Sequence, residues 1–289
     1  MKRILSISAI SLSMASTCFA GEPIKIVAAE NFYGDIAKQI GGDRVAVTSI
    51  LSNPDQDPHL FEASPSVARD ISGAAIVIAN GLDYDPWINT LLDASPSQAR
   101  KLISVGELAG KRPGDNPHLW YDPQNVLRMA QTLTKDLAAA DPAGKADYEK
   151  RLETFKASLS PIETQIATLK ARFGGTPVAA TEPVFGYMFD AMGMEVLEGS
   201  FQTSVMNDTE PSASDTVAFE NDLKTHKIKL LVYNSQATDP VADRMKALAG
   251  AAGIPIVGAT ETQPPGISYQ DWMLAELADV SKAFSLSTQ

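Results

Sequence analysis

Ala74-Ala75-Ile76-Val77-Ile78-Ala79 is a wholly apolar run of strand length, stopped by Asn80-Gly81. A strand without a polar face must be covered on both sides, which is the situation of a parallel sheet flanked by helices. The segments around it alternate as such a sheet requires. Ile24 to Ala29, apolar apart from Lys25, reads as a mostly buried strand, and Phe32 to Ile40 as a helix closed by Gly41-Gly42. Val45 to Leu51 is the next strand. Ser64-Pro65-Ser66 opens a helix, with Ser64 as N-cap and Pro65 in the first turn. Trp87 to Leu92 reads as a helix, Lys101 to Val105 as a fourth strand, and Gln124 to Ala140 as an amphipathic helix. This order argues for a mostly parallel sheet with helices on both sides.

The order then recurs. Pro177 to Thr181, Ile228 to Tyr233 and Ile254 to Ala259 read as strands, with a strand start at Val196-Leu197. Val184 to Met192, Ala213 to His226, Pro240 to Ala252 and Tyr269 to Phe284 read as helices, and polar Ser204 to Ser212 as an irregular, mobile loop. Between the halves, Tyr148, Leu152, Phe155, Leu159, Ile162, Ile166, Leu169 and Phe173 are spaced alternately four and three apart. That spacing is one apolar stripe on a helix from about Lys145 to Phe173, about 45 Å long at 1.5 Å per residue. Pro161 should kink this helix without ending it, and Gly174-Gly175 ends it. The expected fold class is α/β: two lobes, each a mostly parallel sheet flanked by helices, joined by one long rigid helix. The expected boundaries are 21–142 for the N-terminal lobe, 143–174 for the linking helix and 175–289 for the C-terminal lobe.

A length of 289 residues with 44% hydrophobic content suits two medium cores. The formal charge is −11 and basic clusters are absent, which argues against nucleic acid as a partner. Lys2 and Arg3, the apolar stretch Ile4 to Ala15, and Cys18-Phe19-Ala20 before Gly21 have the layout of a signal peptide over residues 1–20, cleaved after Ala20. The product is expected in the periplasm. Ala15-Ser16-Thr17 lacks the residues that precede a lipidated cysteine, so a soluble product is expected, with no cysteine and hence no disulfide. It carries 22 basic against 35 acidic residues, a net −13. No later segment reaches about 18 uninterrupted apolar residues, the length of a membrane span.

Two of the three histidines share one context. His59 lies in Asp57-Pro58-His59-Leu60-Phe61, just past the second strand, and His118 in Asn116-Pro117-His118-Leu119-Trp120. Each follows a proline and precedes Leu and an aromatic, so each imidazole is restricted on one side and packed on the other. Either one alone reads equally well as an ordinary loop histidine; the repeat points to a shared metal site. In the second half, Glu182 follows the first strand and Glu261 the last. Ligands of open α/β sheets bind outside the carboxyl ends of the strands. His59, His118, Glu182 and Glu261 would then supply two imidazole nitrogens and two carboxylates, a set that suits Zn²⁺, Mn²⁺ or Fe²⁺ better than Ca²⁺, Mg²⁺ or Cu⁺. The blander readings are a helix-terminal carboxylate for Glu182 and a surface acid for Glu261. Asp208, Glu210 and Asp239 compete as oxygen donors, although Asp239 before Pro240 reads more simply as an N-cap. His226 reads as a solvated capping residue.

At these residues the chain resembles a known family, the periplasmic metal-binding proteins of ABC importers for zinc and manganese (the cluster A-I type of solute-binding protein). The resemblance covers essentially the whole mature chain and rests on DPHLFEASPS, ANGLDYDPW, NPHLWYDPQN, ATEPVFGYM, EPSASD and IPIVGATETQPPG. It implies His59 and His118 as the histidine ligands of the first lobe and Glu182 as the third ligand, a position where zinc members often carry histidine and manganese or iron members glutamate. Carboxylate-type members place an aspartate beyond the last strand; here no aspartate lies between Ile256 and Ser268, and Glu261 is the nearest acid. The His-rich loop of many zinc members is missing from Gly106 to Asn116. These features lean toward manganese-like coordination, while zinc satisfies the same donors and binds them more tightly.

The resemblance implies a monomeric, non-enzymatic protein. It would capture one divalent ion, Zn²⁺ or Mn²⁺, in a cleft between lobes and deliver it to the membrane permease of an ABC importer. The alternatives are a secreted zinc-dependent hydrolase, against which the lack of an H-E-x-x-H helix counts, and a two-lobed protein for a larger ligand such as haem or a siderophore. The physiological metal, the permease and any adhesion role are not written in these residues.

Overall fold

The computed structural model describes residues 22–53 and 61–286. The expected signal peptide and His59 lie outside the described residues. Strand β1 (Ile24–Glu30) leads into helix α1 (Asn31–Gly41), and β2 (Val45–Leu51) follows after a short 3₁₀ turn. Then come α2 (Pro65–Gly73), β3 (Ile76–Ala79), α3 (Pro86–Ala94), β4 (Lys101–Ser104), the one-turn α4 (Val105–Leu108) and α5 (Pro123–Ala140). The four strands form a parallel sheet in the order β2-β1-β3-β4, and β3 is buried at every position, as its sequence demands.

The second half has β5 (Pro177–Ala180), α8 (Gly186–Ala191), β6 (Glu195–Val196), α9 (Gly199–Met206), α10 (Ala213–Lys224), β7 (Leu231–Asn234), α11 (Pro240–Ala251), β8 (Ile256–Ala259) and α12 (Tyr269–Leu286). Its parallel sheet has the order β6-β5-β7-β8, the same topology as the first. In both sheets the direction of winding reverses beside the first strand, between β1 and β3 and between β5 and β7. Such a reversal opens a crevice at the carboxyl ends of those strands.

Two expectations are corrected in detail. The periodic stretch forms two helices, α6 (Lys145–Ser158) and α7 (Ser160–Phe173), separated by Leu159, whose backbone stays right-handed helical at φ −80° and ψ −19°. Pro161 in the first turn of α7 has no N–H to give the Ala157 carbonyl, which accounts for the break. The stripe itself is intact: Tyr148, Phe155, Leu159, Ile162 and Leu169 are all buried. Ser204 to Met206 belongs to α9 and is not loop; buried Phe201 and Val205 give that short helix an apolar side, and Phe201 packs edge-on against Phe219 of α10.

One hydrophobic cluster runs through both halves, from Ile26 and Ile78 of the first sheet to Val178 and Val232 of the second. Helix α12 crosses the junction between them. Trp272 lies 5.9 Å from Phe32 of α1 and 5.8 Å from Tyr121, centroid to centroid. The Tyr269 hydroxyl donates to the Trp120 carbonyl at 2.7 Å, and Gln270 and Gln39 exchange two amide hydrogen bonds. Because the halves share this core, thermal unfolding followed by calorimetry is expected to give one transition. Trp272→Ala should lower stability by about 3–5 kcal/mol while keeping it single; two resolved transitions in the wild type would contradict a shared core.

Glu276, also on α12, is buried in the same junction. Its Oε1 accepts from Trp272 Nε1 at 3.1 Å and from Thr260 N and the Tyr121 hydroxyl at 3.3 Å. Burial raises its pKa to about 7, against the opposing pull of those three donors. The folded value therefore lies above the unfolded one. The stabilising contribution is complete below the unfolded value and is lost as pH rises through about 7. Glu276→Gln should flatten the fall in melting temperature between about pH 5 and about pH 8; an unchanged profile would count against this group.

Candidate metal centre

His118 follows the loop after α4, in a segment held from three directions. The Asn80 amide, at the end of β3, donates to the Pro117 carbonyl at 2.8 Å while its oxygen accepts the Tyr33 hydroxyl at 2.8 Å. The Tyr187 hydroxyl of α8 donates to the Asn116 carbonyl at 2.8 Å. Asn116 itself sets the imidazole. Its Nδ2 donates to the Pro183 carbonyl at 2.7 Å, which turns its Oδ1 toward His118 Nδ1, also at 2.7 Å. Nδ1 must then carry a proton toward Asn116, and Nε2 is the nitrogen turned away from it. That Nε2 is buried without a hydrogen-bond partner, 3.5 Å from Glu261 Oε2.

Glu261 lies just past β8 and is 1% exposed, so it is no surface acid. Gln236 Oε1 accepts the backbone N–H groups of Glu261 and Thr262 and fixes the turn. The two carboxylate oxygens face different donors: Oε2 accepts the Tyr84 hydroxyl at 2.8 Å, and Oε1 accepts Asn234 Nδ2 at 2.5 Å. Asn234 ends β7, and its Nδ2 also lies 3.4 Å from both oxygens of Glu182. Glu182, after β5, is 4% exposed; it is the N-cap residue of the 3₁₀ turn that follows and makes no side-chain cap bond to it.

The structure thus brings His118 and Glu261 into contact and joins Glu182 to them through Asn234. Among the described residues, no three His, Asp or Glu side chains close into a complete ligand set; His59 lies outside those residues. Of the competing acids, Asp239 lines one small pocket with Glu182 and Asn234. Asp208 and Glu210 are exposed, and Asp239 caps α11 by accepting from Val241 N and Ala242 N at 2.9 and 2.7 Å. His226 is exposed in a left-handed conformation after α10, as a residue ending a helix would be.

Tyr84, Asn116 and Asn234 were not among the sequence candidates. Asn234 ends a strand, the position that singled out Glu182 and Glu261. Tyr84 sits inside the ANGLDYDPW motif, in a turn closed by Asp85, whose oxygens accept the N–H groups of Asn80 and Gly81 at 2.7 and 2.8 Å. Burial lifts Asp85 to about 6 despite those donors. It also lifts Tyr84 well above an ordinary phenol, with the Glu261 charge adding to the shift, so the hydroxyl stays a donor. Glu30, at the end of β1, was missed as well. It is 1% exposed, and burial, then the neighbouring Asp85 charge, push its pKa well above the carboxylate range.

The family described as Zinc-uptake complex component A periplasmic matches residues 26–283. Among curated relatives, the manganese ABC transporter substrate-binding lipoprotein PsaA of Streptococcus mitis is 24% identical over 290 residues, covering 92% of this chain and 91% of the relative. The iron ABC transporter substrate-binding lipoprotein MtsA of Streptococcus pyogenes serotype M1 is also 24% identical over 290 residues, covering 91% and 90%. Among solved structures, the periplasmic zinc binding protein TroA from Treponema pallidum superposes with a TM-score of 0.77 at 18% identity, over 91% of this chain and 99% of that one. The match over nearly the whole described chain places this protein in the Zinc-uptake complex component A family of periplasmic metal-uptake proteins.

Proposed function

We propose that the chain is the substrate-binding component of a metal ABC importer, and that His118, Glu182 and Glu261, with His59, hold one divalent transition-metal ion as cargo. The observation that carries this is the His118 imidazole: Nδ1 is engaged by Asn116, while Nε2 is buried, without a hydrogen bond and 3.5 Å from a carboxylate oxygen. A neutral imidazole oriented through its other nitrogen is the usual state of a metal-ligating histidine. The relatives are named for manganese and iron transport and the superposed structure for zinc, so Zn²⁺ and Mn²⁺ are the ions to test first. The junction is packed with Phe32, Trp120, Tyr121, Phe185 and Trp272, which suits a single ion better than haem or a siderophore.

In this reading residues 21–142 and 175–289 are the two metal-binding lobes, with 143–174 linking them. The protein works outside the cytoplasm as a monomer, after cleavage behind Ala20. It hands its cargo unchanged to a membrane permease and performs no catalysis. Calorimetric titration with Zn²⁺ and Mn²⁺ tests the ligand set. His118→Ala, Glu182→Ala and Glu261→Ala should each weaken binding at least about tenfold, roughly 1.4 kcal/mol. Asp208→Ala should leave affinity unchanged. Asp239→Ala should lose about 0.5–2 kcal/mol of stability as a missing cap, without losing the metal. Wild-type affinity in His118→Ala or Glu261→Ala removes that residue from the site.

A further inference from the structure

The Glu261 carboxylate is held by an unusual pair of donors, one from each half of the molecule. A carboxylate has lone pairs on both oxygens and binds a metal either through one oxygen or through both. Here His118 Nε2 faces Oε2 at 3.5 Å, so an ion bound to this imidazole meets Glu261 on its Oε2 side. Oε1 is turned to the Asn234 amide. Rotating the group so that both oxygens reach the ion would break the Asn234 bond and the 2.8 Å bond from the Tyr84 hydroxyl to Oε2. Both are charge-assisted bonds, the strong class.

Nor can Tyr84 follow such a rotation. Its backbone comes out of two consecutive left-handed residues, Leu82 and Asp83, at φ 58° and 62°. Such residues persist only where the surroundings fix them. The Asp85 bonds to Asn80 N and Gly81 N and the Tyr84 N–H bond to the Gly81 carbonyl at 3.1 Å supply that fixation. The ring lies 5.2 Å from Trp120 and 6.1 Å from the His118 imidazole, centroid to centroid.

We propose that Tyr84 is a specificity-determining positioning residue: together with Asn234 it presents Glu261 to the cargo through a single oxygen. This holds the site to a low coordination number and favours tetrahedral Zn²⁺ over octahedral Mn²⁺. The inference rests on the reading of His118 and Glu261 as metal donors. Tyr84→Phe keeps the ring and removes the hydroxyl that donates to Oε2.

The test compares Zn²⁺ and Mn²⁺ affinities, by chelator competition, in the wild type, Tyr84→Phe, Asn234→Ala and His118→Ala. The visible spectrum of the Co²⁺-loaded proteins is recorded as a measure of coordination number. Tyr84→Phe should lower the Zn²⁺-to-Mn²⁺ affinity ratio about tenfold and weaken the intense visible absorption of low-coordinate Co²⁺. Asn234→Ala, which frees Oε1 without touching the Tyr84 turn, should move both readouts the same way. An equal loss of both ions in Tyr84→Phe, or an unchanged ratio and Co²⁺ spectrum, overturns the proposal and leaves the donor assignment standing. Wild-type affinity in His118→Ala overturns the donor assignment itself, and the proposal with it.

Discussion

The carboxylate of Glu261 is the group on which the junction turns. Removed from water, an ionised carboxylate without partners is among the most expensive things a fold can contain. Its partners here come from both halves: Tyr84 follows β3 of the first sheet, and Asn234 ends β7 of the second. The two halves must therefore sit at one separation for the group to be satisfied. The surrounding contacts keep that separation. Asn31 exchanges hydrogen bonds with the backbone of Gln263 at 2.7 and 3.1 Å, Asn116 reaches the Pro183 carbonyl, and the Tyr121 hydroxyl donates to the Thr260 carbonyl at 2.8 Å. Asn31, Pro183, Thr260 and Gln263 lie just past strands and Asn116 and Tyr121 in the segment after α4, and together they form one polar seam between the halves. Behind the seam, Trp272, Phe32 and Trp120 supply the apolar burial that balances it.

The shared topology explains why the seam is where it is. With β1 and β3 adjacent in one sheet and β5 and β7 in the other, the crevice of each sheet lies at its own winding reversal. Glu30 and Asn80 mark one crevice, and Glu182 and Asn234 the other. Opposing the two crevices brings together polar residues that lie at or just past the ends of apolar strands. The motif NPHLWYDPQN works in the same economy of position. Asn116 and His118 are two residues apart, and the amide that spans to the Pro183 carbonyl is the one whose oxygen orients the imidazole. A single side chain couples the geometry of the junction to the tautomer of the donor.

Much of this was legible beforehand because hydrophobic pattern and strand-end position are local properties. The two parallel sheets, the apolar stripe from Tyr148 to Phe173, and the cap at Asp239 could be read residue by residue. So could the placement of Glu182 and Glu261 just past strands, though not their burial. Tyr84 could not, because an aromatic in a turn gives no sign of which way it points. Two left-handed non-glycine residues aim it, and no pattern in Gly81-Leu82-Asp83-Tyr84-Asp85 announces them. Ser204 to Met206 was misread for the opposite reason: its polarity outweighed two buried anchors, Phe201 and Val205, that make α9 a helix. Glu30 hid inside an apolar strand, because a lone acid at the end of β1 looks like the start of the next turn.

The donors that restrain Glu261 share a property that bears on what the site can hold. A phenol and a carboxamide satisfy a carboxylate's hydrogen-bonding capacity without carrying opposite charge, whereas a guanidinium in the same place would neutralise it. Asn234 does the same between Glu182 and Glu261, spacing two acids with a neutral amide. Deeper in the first half, burial drives Glu30 and Asp85 the other way, toward the uncharged form. The acids of the crevice are thereby divided. Glu30 and Asp85 are pushed toward the neutral state, while Glu261, which faces His118, is oriented by two neutral donors among the described residues. In the proposed reading, attraction for a cation is concentrated beside the buried His118 nitrogen that has no hydrogen-bond partner, and specificity follows from how rigidly Glu261 is held.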